Sequence, residues 1–361
     1  MKLIIILSVF LLITPHSFCL AGQQSVRLGA IFSKTGKAAS GNEKVLQGVR
    51  FAVEELNRNR GVLGLGIELV EFDNNSTALG ARKAARQAVQ QMVITVIGAS
   101  YSSHSMAMAP ILQKAGIPMI SPTSTNPDVT GTGNCIFRIC FTDLFQGKAL
   151  ADFSIKDLKA LTAGVLINVN QKYSEDLARS FVLNYSRLGG RILFTEDYLD
   201  QSDDFTPLIE KMKSLGPDIV FLPDYSKNTG FIIRLARAGG VKTVFLGGDG
   251  WGDSMIKSLG KSVLGSYYSN HWHPDKEGEE TRQFVKKYRG VAGNISPEMA
   301  LGRDSVFLFA DAVKRAQSLD PAKIRDAIAA TKGFKGVTGT ISLDSNGDPI
   351  KPAVILKFEN G

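Results

Sequence analysis

The sequence predicts an α/β protein made of two doubly wound, Rossmann-like lobes joined by a multi-crossing hinge. From Val26 onward, short apolar runs of strand length alternate with amphipathic stretches of helical period, the pattern of parallel sheets with crossover helices. Runs such as Val93-Ile94-Thr95-Val96-Ile97 and Ile219-Val220-Phe221-Leu222 are nearly continuous in apolar residues, as fits strands covered on both faces. The alternation also occurs twice, in a chain of 361 residues, too long for one ordinary core.

In the first series Val26–Phe32 reads as a strand, Asn42–Asn57 as a helix, Ile67–Phe72 as a strand and Thr77–Gln91 as a helix. Val93–Ile97, His104–Lys114 and Pro118–Ile120 continue it. The second series runs through Ala163–Asn168, Glu175–Leu188, Arg191–Thr195, Phe205–Leu215, Asp218–Leu222, Lys227–Ala238 and Thr243–Gly247. The two join near Phe145–Asp157 without a low-complexity linker, so several short hinge crossings are expected. A strand near Leu264–His271, helices near Glu279–Tyr288 and Glu298–Gln317, and short strands near Gly339–Leu343 and Ala353–Phe358 extend both lobes. A cleft between two such lobes is a natural ligand site.

The N-terminus reads as a secretory signal peptide. Met1-Lys2 precedes a run, Leu3 to Ile13, that is apolar apart from Ser8; Pro15 and Cys19-Leu20-Ala21 follow. The run is too short for a membrane span, which needs about 20 residues. Cleavage is expected after Ala21, placing the protein in the periplasm; a lipid on Cys19 is disfavoured by the bulky Phe18 before it. Loss of Lys2 takes the formal net charge from +8 to +7. Basic and acidic residues are interspersed, without the Lys/Arg blocks of a nucleic-acid arm. If Cys135 and Cys140 share one extended run, their Cα atoms lie ~17 Å apart at about 3.3 Å per residue, beyond the reach of a disulfide. Two inert, partly buried thiols are expected.

No catalytic apparatus is visible, and neither enzyme activity nor a cofactor or metal is expected. Gly61-Val62-Leu63-Gly64-Leu65-Gly66 precedes a strand instead of linking a strand to a helix, so it reads as a turn and not a phosphate loop. His271 and His273, flanking Trp272 in a strand-like segment, read as surface residues. Three loops at strand ends are more informative, because ligands in open α/β sheets sit beyond the carboxyl ends of the strands. Gly98-Ala99-Ser100-Tyr101-Ser102-Ser103 leads into a helix whose free N–H groups and positive dipole end suit a carboxylate, although its serines are equally fit to cap that helix. Ser121-Pro122-Thr123-Ser124-Thr125-Asn126-Pro127 is dense in hydroxyls. Gly247-Gly248-Asp249-Gly250-Trp251 presents a carboxylate in a glycine turn beside an aromatic ring. Each alone is also an ordinary cap or turn; together they suit a zwitterion, its carboxylate on one lobe and its ammonium on the other.

The chain resembles the leucine/isoleucine/valine-binding proteins of ABC transporters, with the type I periplasmic binding fold, over essentially its whole mature length. The resemblance rests on Leu28-Gly29-Ala30-Ile31-Phe32-Ser33-Lys34-Thr35-Gly36, Gln47-Gly48 with Ala52-Val53-Glu54-Glu55-Leu56-Asn57, Asp73, Ile97–Ser103 and Ile117-Pro118-Met119-Ile120-Ser121-Pro122. Phe137-Arg138, Thr142-Asp143, Gln146-Gly147 and Gly247-Gly248-Asp249-Gly250 complete it. It implies one lobe of residues 22–145 with 273–332 and another of 146–272 with 333–361. It also implies hinge closure on an amino acid, branched-chain or related, and delivery to a membrane permease and ATPase complex by a monomer. Ser102, the Thr123 backbone and the Thr125 hydroxyl match the carboxylate site; Asp249 matches the acid, often glutamate in relatives, that takes the ammonium. Tyr173 and Tyr225 match tyrosines that close over the ligand, with Tyr101 and Trp251 beside them. Two departures stand out. Near Ser40 many relatives carry a tyrosine, implying a roomier pocket wall here. Gly302-Arg303-Asp304 stands where relatives often have an aromatic, and Arg303 reads first as an ion-pair partner of Asp304 or another acid. A sensory module of the same fold, for an amide, urea or an amino acid, is the alternative.

Overall fold

The computed structural model describes residues 25–359 apart from 201, 203 and 294. The expected signal segment, with Cys19, lies outside the described residues. The first lobe is β1 (Ser25–Phe32), α1 (Ala39–Arg58), β2 (Gly66–Asp73), α2 (Ala78–Gln90), β3 (Thr95–Gly98), α3 (Ser102–Ala115), β4 (Met119–Ser121) and β5 (Ile136–Arg138). Its strands form an all-parallel sheet in the order β2-β1-β3-β4-β5. Leu28, for example, pairs with Leu69 on one side and Thr95 on the other. Buried apolar clusters line both faces, one around Leu28, Val49 and Phe309, the other around Ile31, Ala84 and Met119. That double cover is why these strands are apolar at consecutive positions.

The second lobe begins with α4 (Asp143–Lys156) and continues as β6 (Thr162–Asn168), α5 (Lys172–Arg187), β7 (Arg191–Tyr198), α6 (Thr206–Leu215), β8 (Ile219–Leu222), α7 (Ser226–Ala238), β9 (Val244–Gly247), α8 (Ser254–Leu259) and β10 (Tyr267–Asn270). The chain then forms α9 (Glu279–Ala292), α10 (Pro297–Ala316), α11 (Pro321–Ala329), β11 (Phe334–Gly336), β12 (Gly339–Ile341) and β13 (Val354–Lys357). The second sheet runs β7-β6-β8-β9-β10-β13, parallel except for the last strand. Both lobes thus share one winding, with a switch point between β1 and β3 and another between β6 and β8.

Local chemistry explains the helix boundaries. The Thr77, Thr142 and Ser296 side chains accept from Gly80, Phe145 and Met299 N–H at the starts of α2, α4 and α10, as N-caps do. Gly116 and Gly216 end α3 and α6 in left-handed conformation, where glycine costs least. The segment Phe145–Asp157, read from sequence as a junction, lies within or beside the capped helix α4, which packs on α5.

The chain crosses between lobes after β5, after β10 and after β12. Residues 333–361 do not all join the second lobe as expected. Phe334, Ile341 and Leu343 pack into the core of the first lobe with Val313 and Ile324, and only β13 joins the second sheet. Cys135 and Cys140 are free and buried, and burial pushes the Cys140 thiol up to about 12.

Candidate functional site

The carboxyl ends of the two sheets face each other, and side chains meet across the gap. Lys37, in the loop after β1, pairs with Asp200 after β7. Asn126, after β4, donates to Asp176 and to the Lys172 carbonyl at 3.2 Å. Tyr101 lies flat on Tyr225 of the other lobe, with ring centroids 3.8 Å apart and 5° between planes. Tyr173 continues the stack beyond Tyr225 at 5.2 Å. The cleft is therefore closed, with an aromatic stack bridging it.

On the first-lobe side Ser102 opens α3, and no side chain caps that helix. Its leading N–H groups and the positive end of its dipole remain for an anion. The Ser102 hydroxyl accepts from the Asn126 N–H at 3.3 Å. The dense hydroxyls of the next loop divide into two groups. Ser121, Thr123 and Ser124 donate to the carbonyls of Ala99 and Ser100 at 2.9–3.1 Å, tying the two loops into one rigid floor. Thr125 is buried, and its carbonyl accepts from Asp143 N–H at 2.8 Å, linking this floor to α4 across the hinge.

On the second-lobe side Asp249 sits in the turn after β9 with its side chain 8% exposed. Gly248 leaves no room for a side chain: a Cβ there would lie 2.3 Å from the Tyr173 hydroxyl and 2.4 Å from Gln146 Oε1. The Tyr173 hydroxyl accepts from Gly250 N–H at 3.1 Å, so this tyrosine holds the turn as well as flanking Tyr225. Gln146 accepts at Oε1 from Asp249 N–H at 3.1 Å and from the Ser269 hydroxyl at 3.0 Å. Its amide nitrogen must then face the carboxylate, and Nε2 donates to Asp249 Oδ1 at 2.8 Å. His271 Nε2 lies 2.9 Å from Oδ2. Two neutral donors thus hold an acid on a rigid turn, a geometry that offers negative charge to a cation in the cleft. Beside it lies Asp143, which is fully buried. Burial, then the nearby Asp249 charge, pushes its carboxyl well above the usual carboxylate range.

Seven of the eight residues singled out from sequence, namely Tyr101, Ser102, Thr123, Thr125, Tyr173, Tyr225 and Asp249, belong to loops, turns or helix starts at the opposed sheet ends. Trp251 is the exception: its indole is 1% exposed and packs in the second-lobe core with Phe245, Met255 and Phe358. Near Ser40, which is exposed, the Tyr101 hydroxyl would lie 3.3 Å from a Cβ on the adjacent Gly41. Arg303 pairs with Glu55 at 3.3 Å, approaches Asp304 at 3.8 Å and stacks over Phe307 at 3.8 Å, so it ties α10 to α1. His271 corrects the surface reading: it is 2% exposed, under the Phe141 ring at 3.7 Å. One signal could have found it, its place at the carboxyl end of a strand next to the strand that leads to Asp249.

Two hinge-linked α/β lobes, closed sheet-end to sheet-end over a polar cleft, define a two-lobed binding protein of the type I periplasmic kind. A family model described as "Periplasmic binding protein" matches residues 25–361. A leucine-binding protein from Thermotoga maritima is similar in structure, 34% identical over 93% of this chain and 96% of that one, with a TM-score of 0.88. A branched-chain amino acid transporter substrate-binding protein from Streptococcus pneumoniae, in complex with isoleucine, is 29% identical over 92% of this chain and 96% of that one, with a TM-score of 0.87. The Leu/Ile/Val-binding protein homolog 2 of Brucella abortus is 30% identical, the match covering 91% of this chain and 88% of that protein. The chain belongs to the periplasmic binding protein family, on its branched-chain amino acid side. Among the described residues no helix is long and apolar enough to cross a membrane.

Proposed function

We propose that this protein is the extracytoplasmic solute-binding component of an ABC transporter. It closes its lobes around an α-amino acid, branched-chain or related, and presents the closed form to a permease and its ATPase without catalysing a reaction. The ligand carboxylate lies at the start of α3, held by Ser102, the Thr123 backbone and the Thr125 hydroxyl, and the ammonium lies at Asp249. Tyr101, Tyr173 and Tyr225 close over the remainder. The observation that carries this reading is the opposition of an uncapped helix start on one lobe to a rigidly held carboxylate on the other, within a closed cleft.

Mass spectrometry of small molecules released from the purified protein, with a thermal-shift screen of the amino acids, tests the reading. An amino acid at a thousand times its dissociation constant stabilises the folded form by about 4 kcal/mol, which the screen resolves. No shift with any amino acid would reject it. The carboxylate assignment has its own test. Ser102→Ala is expected to weaken binding by about 1.5–3 kcal/mol, the range for a hydrogen bond to a charged group. Unchanged affinity by calorimetry in folded Ser102→Ala would remove Ser102 from the site.

A further inference from the structure

The Asp249 carboxylate, on a short side chain in the turn after β9, is supported from beneath at both of its oxygens. Gln146 engages Oδ1, and the group on Oδ2 is His271, on the hinge crossing after β10. We propose that His271 is a positioning residue for ligand binding: its Nε2–H fixes the Asp249 carboxylate in the orientation that receives the ligand's ammonium group. The proposal rests on the reading of Asp249 given above.

Three observations support it. The Nε2 to Oδ2 distance is 2.9 Å, with side chains 2% and 8% exposed, so the contact is shielded from water. An ionised carboxylate only accepts hydrogen bonds, so the shared proton sits on Nε2 of the neutral ring. Nδ1 is then a bare acceptor, and it is buried with no partner among the described residues. The ring is clamped by Phe141 at 3.7 Å, and Phe141 lies on the crossing that leads into α4. The ring that aims Asp249 is thus held between two hinge strands.

The arrangement has a consequence for pH. Burial holds the His271 ring below the usual imidazole range, with the Asp249 hydrogen bond pulling the other way. As pH falls through that low value the ring gains a proton, and the imidazolium competes with the ligand's ammonium for one carboxylate. Affinity is therefore full at neutral pH and falls below it, by at most about tenfold per pH unit for one proton. Other groups surround the pair. Lys351, on the third crossing, faces His271. Asp143 at the start of α4, Glu298 at the start of α10 and Cys140 lie near Asp249. Their titrations are common to wild type and a His271 variant, so the difference between the two profiles isolates His271.

The test is calorimetric titration of L-isoleucine into wild type, His271→Leu, His271→Gln and Asp249→Asn between pH 5 and pH 8, replaced by the amino acid of largest thermal shift should wild type give no heat. His271→Leu is expected to lose on the order of ten- to a hundredfold in affinity at pH 7.5, the range for one hydrogen bond to a charge. His271→Gln, which keeps a donor at the Nε2 position, should recover most of that loss and lack the acid-side step shown by wild type. Should His271→Leu fail to fold, the shorter His271→Asn, which withdraws the donor from Oδ2, takes its place and should lose affinity to the same extent. Undiminished affinity in His271→Leu, or in His271→Asn in its place, beside a large loss in Asp249→Asn would overturn the role of His271 and leave Asp249 standing. No loss in Asp249→Asn overturns both.

Discussion

Asp249→Asn is expected to bind its amino acid a few hundred- to several thousandfold more weakly than wild type, with little change in the unfolding of the ligand-free protein. The substitution keeps the size and shape of a side chain packed in a turn of glycines, so it isolates the charge. In the closed cleft the ammonium has given up its water, and a buried cation left without its counter-charge costs roughly 3–5 kcal/mol. No neighbour can substitute. Asp143 is the adjacent acid, but burial and then the Asp249 charge push its carboxyl well above the usual carboxylate range, and it lies fully buried at the start of α4. The ligand-free fold should tolerate the change because the partners of the carboxylate, Gln146 and His271, are neutral donors. An amide in that place retains an oxygen for one of them. Calorimetry gives the affinity and thermal unfolding gives the stability. Wild-type affinity in Asp249→Asn would mean that the ligand is not held there as a cation, and a neutral solute such as an amide would become the better reading.

Much of this site was legible in the sequence because it lies where a general rule puts it, at the carboxyl ends of parallel strands. Asp249 announces itself through Gly247, Gly248 and Gly250, and the requirement at Gly248 is visible in the 2.3 Å approach of the Tyr173 hydroxyl to a would-be Cβ. Ser102 follows from a strand–loop–helix pattern. What the sequence hid depends on neighbours distant along the chain. His271 reads as one position of a short alternating strand until the sheet sets it beside Asp249, 22 residues earlier. Trp251 looks like a ligand wall beside Asp249, yet the turn swings its indole back over Gly247 into the core. The β11–β12 hairpin carries no sign of which lobe it joins; that is settled when Ile341 and Leu343 meet the first-lobe core. The Tyr101–Tyr225 stack is a contact between two lobes, which no local pattern encodes.

The glycines of Gln47-Gly48 and of Gly302-Arg303-Asp304 have a shared structural reason, and it yields the second large expected effect. Helices α1 and α10 cross with their backbones in contact. A Cβ on Gly48 would lie 2.1 Å from the Met299 carbonyl oxygen, and one on Gly302 would lie 2.3 Å from the carbonyl oxygen of Val45. The obstruction is backbone in both cases, so no rotamer change relieves it and the helices must part. Parting them loosens the buried seam of Val45, Val49, Ala52, Leu301, Phe309 and Val313. Replacing a helical glycine by alanine normally gains up to about 1 kcal/mol in helix propensity, while overpacking costs typically 1–3 kcal/mol and occasionally more. With a clash against main chain the second effect wins. Gly302→Ala and Gly48→Ala are each expected to lose about 2 kcal/mol, and Gly302→Val about 3 kcal/mol or more, in urea unfolding without ligand. The double alanine variant should lose less than the sum, because the separation forced by the first methyl makes room for the second, and contacting sites couple. Gly290→Ala in α9 is the control: nothing lies within 4 Å of its would-be Cβ, so only the propensity gain should appear. Stability unchanged in Gly302→Ala, or strict additivity of the pair, would show that the crossing is looser than the structure has it.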